Sequence, residues 1–269
     1  MAHIPANGIR LHVQRVAPTG SPRSDGRHRA VVFIHGLGTD SLASFYFTLA
    51  PAVSAAGIDV IAYDLRGHGR SERLPTGYRL SDFVADLSGL LDALQVGGPV
   101  HLVGNSFGGT VAFSYAAEYP ERVASLVMIE SEPATEVWSR KLANLLGSAD
   151  DPEALSWITE HYGAPTAEWA LAVGRRVHTT TMARDIPSGP LLSQDKIRSV
   201  GCPVMVIFGS ESHLVDQGEV LASLLPRCRA VIVPGHEHSV LMGAPGTVRD
   251  LLLAWIAEHH TTTTTHLSH

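Results

Sequence analysis

Ser106 stands in the stretch Gly104-Asn105-Ser106-Phe107-Gly108-Gly109, a Gly-x-Ser-x-Gly pattern with an apolar run on either side. Val100-His101-Leu102-Val103 reads as a buried strand, and Thr110 to Ala117 carries the apolar stripe of a helix. A serine on a strand-to-helix turn is lifted clear of the sheet and sits above a helix N-terminus, whose dipole favours a developing anion. Gly104 and Gly108 suit that turn, because hydrogen side chains let its two arms pass closely. The chemistry such a hydroxyl serves is nucleophilic attack, although the pentapeptide alone is equally compatible with a phosphate-binding turn.

Two further segments favour the nucleophile. Ala30-Val31-Val32-Phe33-Ile34 is a short apolar strand that runs into His35-Gly36-Leu37-Gly38. On that loop the backbone N–H of Leu37, with the N–H of Phe107 just after the serine, is expected to converge on the oxygen of a tetrahedral intermediate. His35 and Gly36 are expected beside the substrate there. Late in the chain, Val231-Ile232-Val233-Pro234-Gly235 leads into His236-Glu237-His238, so a strand delivers two candidate general bases. The His-x-His spacing also suits a metal pair, but no third ligand accompanies it at a recognisable distance, and neither a metal nor a cofactor is expected.

The elements that must position these groups alternate. Ile9 to Val16 switches between apolar and polar residues and predicts an antiparallel edge strand; Pro18 to Arg29 predicts a mobile surface loop. Leu42–Ala56 and Ser81–Leu94 read as helices around a strand at Ile58–Tyr63, and Val123–Ile129 and Pro203–Phe208 read as later strands. Strands separated by helices imply right-handed crossovers and a mostly parallel sheet. From Glu132 to Ser193 no strand is expected, only helical stretches carrying Trp138, Trp157, Tyr162 and Trp169. A last helix ends near His260, before a low-complexity threonine tail.

Composition sets the outer limits. With 269 residues, 45% of them hydrophobic, the chain suffices for one large core. A net charge of -6 provides no basic patch for nucleic acid, and no apolar stretch approaches the length of a membrane span, so a cytoplasmic enzyme acting on a small molecule is expected. Cys202 and Cys228 open successive strands, but two cysteines make no disulfide framework.

The loop His35-Gly36-Leu37-Gly38, the segment Tyr63-Asp64-Leu65-Arg66-Gly67-His68-Gly69-Arg70-Ser71, the elbow at Ser106, and His238-Ser239-Val240 followed by Ala244-Pro245 together resemble the alpha/beta-hydrolase superfamily over nearly the whole chain. The resemblance implies an eight-stranded, mostly parallel α/β sheet with helices on both faces and a helical cap inserted after strand 6. The core would then comprise residues 1–131 and 194–260, the cap 132–193 and a flexible tail 261–269. The cap would line an apolar pocket with Trp138 and Trp157. Within the family pattern the histidine that precedes Ser-Val is the base, which selects His238 over His236, and Asp64 is structural.

The acid departs from that pattern. The family's aspartate would fall three residues after Gly209, where this chain has Ser212. Glu130, at the tip of strand Leu126–Ile129, is the favoured replacement because some haloalkane dehalogenases carry their acid there and a residue leaving a strand tip points into the site; Glu211 is the alternative. A serine nucleophile argues against epoxide hydrolase and dehalogenase chemistry, both of which attack with aspartate. The resemblance therefore implies a serine hydrolase for an ester, thioester or lactone of a medium-sized hydrophobic acyl group. A carbon–carbon hydrolase, whose elbows look like Gly-Asn-Ser-Phe-Gly-Gly, a biosynthetic acyltransferase and a non-catalytic receptor are its alternatives.

Overall fold

The structure is a computed structural model that describes residues 2–19, 30–38, 40–147, 151–162 and 164–259. Its strands are β1 (Ala2–Ala6), β2 (Ile9–Val16), β3 (Ala30–Ile34), β4 (Asp59–Tyr63), β5 (Val100–Asn105), β6 (Val123–Ile129), β7 (Val204–Gly209) and β8 (Cys228–Val233). They form one eight-stranded sheet in the order β1-β2-β4-β3-β5-β6-β7-β8. Only β1 and β2 run antiparallel to their neighbours; the pairs from β4–β3 to β7–β8 are parallel.

Every residue of β3, β4, β6 and β7 is buried. Strands covered on both faces read as unbroken apolar runs, which is why Ala30–Ile34 and Leu126–Ile129 stand out in the sequence. Alternate residues of one strand feed two cores: Val32 and Ile34 join one, Val31 and Phe33 the other.

The helices are α1 (Ala43–Tyr46), α2 (Ala50–Ala55), α3 (Leu80–Ala93), α4 (Phe107–Glu118), α5 (Glu136–Gly147), α6 (Pro152–Tyr162), α7 (Ala164–His178), α8 (Met182–Asp185), α9 (Gln194–Arg198), α10 (Gln217–Leu224), α11 (Val240–Gly243) and α12 (Pro245–Glu258). α3 and α4 bury Phe83, Leu87, Val111 and Tyr115 in the first core; α1, α2 and α12 bury Phe45, Val53, Leu252 and Trp255 in the second. The sheet thus carries helices on both faces, and α5 to α9 lie in the chain between β6 and β7.

Two expected elements differ. β2 is not at the edge: Asn7 (φ 47°) and Gly8 (φ 75°) form a tight turn that folds β1 back against it, so β1 takes the edge. Asn-Gly is the strongest short hairpin signal because both turn positions need positive φ. The single helix expected over Leu42–Ala56 is two short ones, the second beginning with Pro51 in its first turn. Residues 20–29 of the expected mobile loop, the threonine tail and the side chains of Trp157, Tyr162 and Trp169 lie outside the described residues. Cys202 and Cys228 are free thiols, and burial pushes both up to about 11.

Candidate active site

Ser106 occupies the turn between β5 and α4 with φ 50° and ψ -121°, a strained conformation for a residue bearing Cβ. The turn is tight enough to exclude any side chain at its flanking glycines. A Cβ on Gly104 would lie 2.4 Å from the Gly108 backbone, and one on Gly108 would lie 2.0 Å from the Ile34 carbonyl oxygen. The Ser106 N–H donates to Ile129 O at 2.8 Å, tying the serine to the tip of β6.

The next residue on that tip is Glu130, 1% exposed and also at positive φ (48°). Its N–H reaches across to Ile207 O at 2.8 Å, and its Oε1 accepts from the Gly209 N–H at 2.5 Å. Ser212, the residue at the position where the resemblance leads one to expect aspartate, donates its hydroxyl to Glu130 Oε2 at 2.5 Å. The same Oε2 lies 3.3 Å from Nδ1 of His238, and His238 Nε2 lies 3.0 Å from Ser106 Oγ. Hydroxyl, imidazole and carboxylate therefore follow one another from the tips of β5, β8 and β6. An imidazole in this setting can withdraw the hydroxyl proton while its far nitrogen is held by the carboxylate.

Glu211 is exposed, and only its backbone takes part, donating to His236 O at 2.9 Å. The His236 ring faces away, over Gly243, where an added Cβ would fall 2.7 Å from its Nδ1. Asp64 is buried in the loop after β4, accepting from the N–H groups of Leu42 (2.8 Å) and Arg70 (2.9 Å) and contacting His12 Nδ1 at 2.7 Å.

The Ser106, Glu130 and His238 side chains open on a cavity of about 390 Å3. Leu37 and Phe107 line it; Phe107 stacks on Trp138 with ring centroids 6.5 Å apart and planes 11° apart. Among the described residues neither the Leu37 nor the Phe107 N–H has a hydrogen-bond acceptor.

His35 and Gly36 are not on the cavity wall, contrary to expectation. The His35 ring is fully buried; its Nδ1 contacts Gly36 O at 2.7 Å and its Nε2 accepts from the Leu65 N–H at 2.9 Å. Beside it, His68 accepts from the Gly38 N–H at 3.1 Å through Nε2, and its Nδ1 meets Arg66 O at 2.8 Å. Burial lowers both imidazoles, His68 to about 3, so both are neutral braces between two loops. Gly36 lies behind the serine, where an added Cβ would be 3.4 Å from Ser106 Cβ, and its N–H donates to Asp40 at 2.6 Å.

Other wall residues were not singled out from sequence. Lys141, Leu142 and Leu145 follow Trp138 at spacings of three, four and seven on α5, a helix-face pattern that was available in the sequence. Lys141 Nζ pairs with Glu132 at 3.2 Å. His213 stands 5.2 Å from the His238 ring, and burial, then His238, lowers its pKa. Nothing in local sequence marks His213, because the turn after β7 alone aims it.

Residues 29–150 match the family described as alpha/beta hydrolase fold. The chain is 28% identical over 252 residues to a 2-(acetamidomethylene)succinate hydrolase of Mesorhizobium japonicum, covering 86% of this chain and 88% of that one. It is 26% identical to a non-heme chloroperoxidase of Streptomyces lividans, covering 74% and 82%. An esterase from Exiguobacterium antarcticum superposes with a TM-score of 0.74 at 17% identity, covering 95% of this chain and 98% of that one. Among the described residues no helix is long and apolar enough to cross a membrane. With the eight-stranded sheet order, the serine on its strand-to-helix turn and these likenesses, the chain has the alpha/beta-hydrolase fold and is similar to members of that superfamily, a named hydrolase among them.

Proposed function

We propose that the protein is a serine hydrolase that cleaves an ester, thioester or lactone through an acyl-enzyme on Ser106. The observation that carries this reading is the order Ser106 Oγ, His238, Glu130, with contacts of 3.0 and 3.3 Å. His238 Nε2 takes the serine proton as Oγ attacks the acyl carbon, and the carbonyl oxygen, now an anion, is received by the N–H groups of Leu37 and Phe107. Collapse of this intermediate expels the alcohol or thiol, which takes its proton from His238. Water then repeats the sequence on the acyl-enzyme and releases the acid. Glu130, fixed by Gly209 and Ser212, keeps Nδ1–H of His238 oriented. Nothing in this sequence of steps calls for a metal or cofactor.

The helices between β6 and β7 serve as the cap in this reading, with the Trp138 face of α5 forming the acyl pocket. A cavity near 390 Å3 walled by Leu37, Phe107, Trp138, Leu142 and Leu214 suits a medium-sized apolar acyl group. Incubation with a fluorophosphonate followed by intact-mass analysis tests the assignment. One adduct that is absent from Ser106→Ala is expected; a folded, unlabelled wild-type protein overturns the reading and favours a receptor.

One observation favours a second form of the substrate. Lys141, Glu132 and His213 add polar and charged groups to the otherwise largely apolar wall of the cavity, and the relative from Mesorhizobium is named for a succinate. A hemisuccinate ester would place its carboxylate by Lys141. Comparing kcat/KM for a hemisuccinate and the matching neutral butyrate ester decides between the two forms: preference for the charged ester supports this second form, and preference for the neutral one supports the first.

A further inference from the structure

Arg73, Arg175 and Arg176 line a second cavity, of about 520 Å3, that shares no wall residue with the cavity at Ser106. Tyr78 and Gly67 form part of its wall, and among the described residues no carboxylate lines it. This concentration of cations is unusual in a chain of net charge -6.

Arg175 and Arg176 lie in the last turn of α7, where a helix dipole accommodates cations. That explains two of the three. Arg73 comes from a different segment, the loop after β4, lines the same cavity and bears on Arg176: burial lowers the Arg176 pKa first, and repulsion from Arg73 lowers it further. The nearby acids are engaged elsewhere. Asp185 accepts from Tyr78 N–H at 3.3 Å and Arg184 Nε at 3.0 Å, and both oxygens of Asp86 are taken by Arg66 at 2.5 and 2.6 Å. No ion pair of Arg73, Arg175 or Arg176 exists among the described residues.

The guanidinium groups are also under-used as donors. Arg176 Nη1 donates to Gly38 O at 3.2 Å and Arg73 Nη2 to Gly69 O at 3.1 Å, one N–H of the five on each. The Arg175 side chain makes no hydrogen bond among the described residues. Forked donors left open around one cavity match the paired oxygens of phosphate and carboxylate groups. The volume lies in the range of small-molecule sites.

We propose that this cavity is a binding site for a small organic anion carrying phosphate or carboxylate groups, held by Arg73, Arg175 and Arg176. It is separate from the catalytic cavity. Its link to that cavity is Arg176, which also holds the Gly38 carbonyl next to Leu37.

Isothermal titration of the full chain with inorganic pyrophosphate and, separately, with citrate tests the site. Saturable binding of at least one anion is expected, retained in Ser106→Ala and weakened at least about tenfold in Arg175→Gln and in Arg73→Gln. Arg175 is exposed and unbonded, so its variant keeps the fold. Arg198→Gln, which removes a surface charge paired with Asp195 outside the cavity, is expected to bind like wild type. Binding of pyrophosphate alone identifies a phosphate ligand, and of citrate alone a carboxylate ligand; both support the site. The proposal is overturned if neither anion saturates, if Ser106→Ala abolishes binding, or if Arg198→Gln weakens it as much as Arg175→Gln.

Discussion

The Ser212 hydroxyl donates to Glu130 Oε2 across the tips of β7 and β6, at 2.5 Å. A position that the family pattern assigns to an acid thus supports an acid supplied by the neighbouring strand. Because Glu130 leaves its strand at positive φ, its carboxylate turns toward His238 rather than continuing along the sheet face.

Glu130→Gln preserves shape and removes the charge that orients His238. A loss of kcat/KM of about a thousandfold or more is expected, since a histidine without its carboxylate settles in the wrong tautomer. Glu211 is exposed and its side chain bonds nothing among the described residues, so Glu211→Gln is expected to match wild type. Steady-state kinetics on the butyrate and hemisuccinate esters would sink the assignment if the two variants behaved alike.

Ser212→Ala leaves one oxygen of a buried carboxylate short of a donor. The expected cost is about 1 to 3 kcal/mol of stability, with a smaller loss of activity than in Glu130→Gln. Chemical denaturation of the variant beside wild type measures the first, and kcat the second. An unchanged midpoint would mean that the Ser212 contact contributes nothing.

What local sequence determined was legible and what depended on register was not. The elbow is written in five consecutive residues because its steric demands at Gly104 and Gly108 are local. The place after a late strand marks both His236 and His238, and the family pattern points to His238, whose Nε2 lies 3.0 Å from Ser106 Oγ. Glu130 is favoured over Glu211 in the sequence because it leaves a strand tip, but its approach to 3.3 Å from the imidazole depends on sheet order and on one positive φ, which no local pattern displays. The inward turn of His35 has no local signal, because the Leu65 N–H that its Nε2 accepts from comes from thirty residues further along the chain. The β1–β2 hairpin had its signal at Asn7-Gly8, and the cavity face of α5 had its own in the spacing from Trp138 to Leu145.

The neutral braces make stability pH-dependent. His68 titrates near 3 in the folded protein against about 6.5 when unfolded. The unfolded state therefore binds more protons between those values, and the stabilisation, complete above pH 6.5, is lost as pH falls toward 3. The slope from one such group is at most about 1.4 kcal/mol per pH unit. His68→Gln keeps an acceptor for the Gly38 N–H but does not titrate. Urea unfolding between pH 4 and 7 is expected to show a shallower decline in the variant, whatever its absolute stability; parallel slopes would contradict the neutral brace.

The strain at Ser106 gives the last expectation. A residue with Cβ at φ 50° and ψ -121° is held there by the Ile129 hydrogen bond and by the packing of Gly104 against Gly108. Such a conformation costs on the order of 1 to 3 kcal/mol, and glycine adopts it freely. Ser106→Gly removes that cost but gives back somewhat under about 1 kcal/mol through the greater freedom of the unfolded chain. It also loses the contact to His238, a half-exposed group whose bond contributes little to stability. A higher melting temperature, together with complete loss of the fluorophosphonate adduct, is therefore expected from differential scanning calorimetry and intact mass. A Tm below that of wild type would mean that the turn is relaxed and that Ser106 stabilises the fold it was expected to strain.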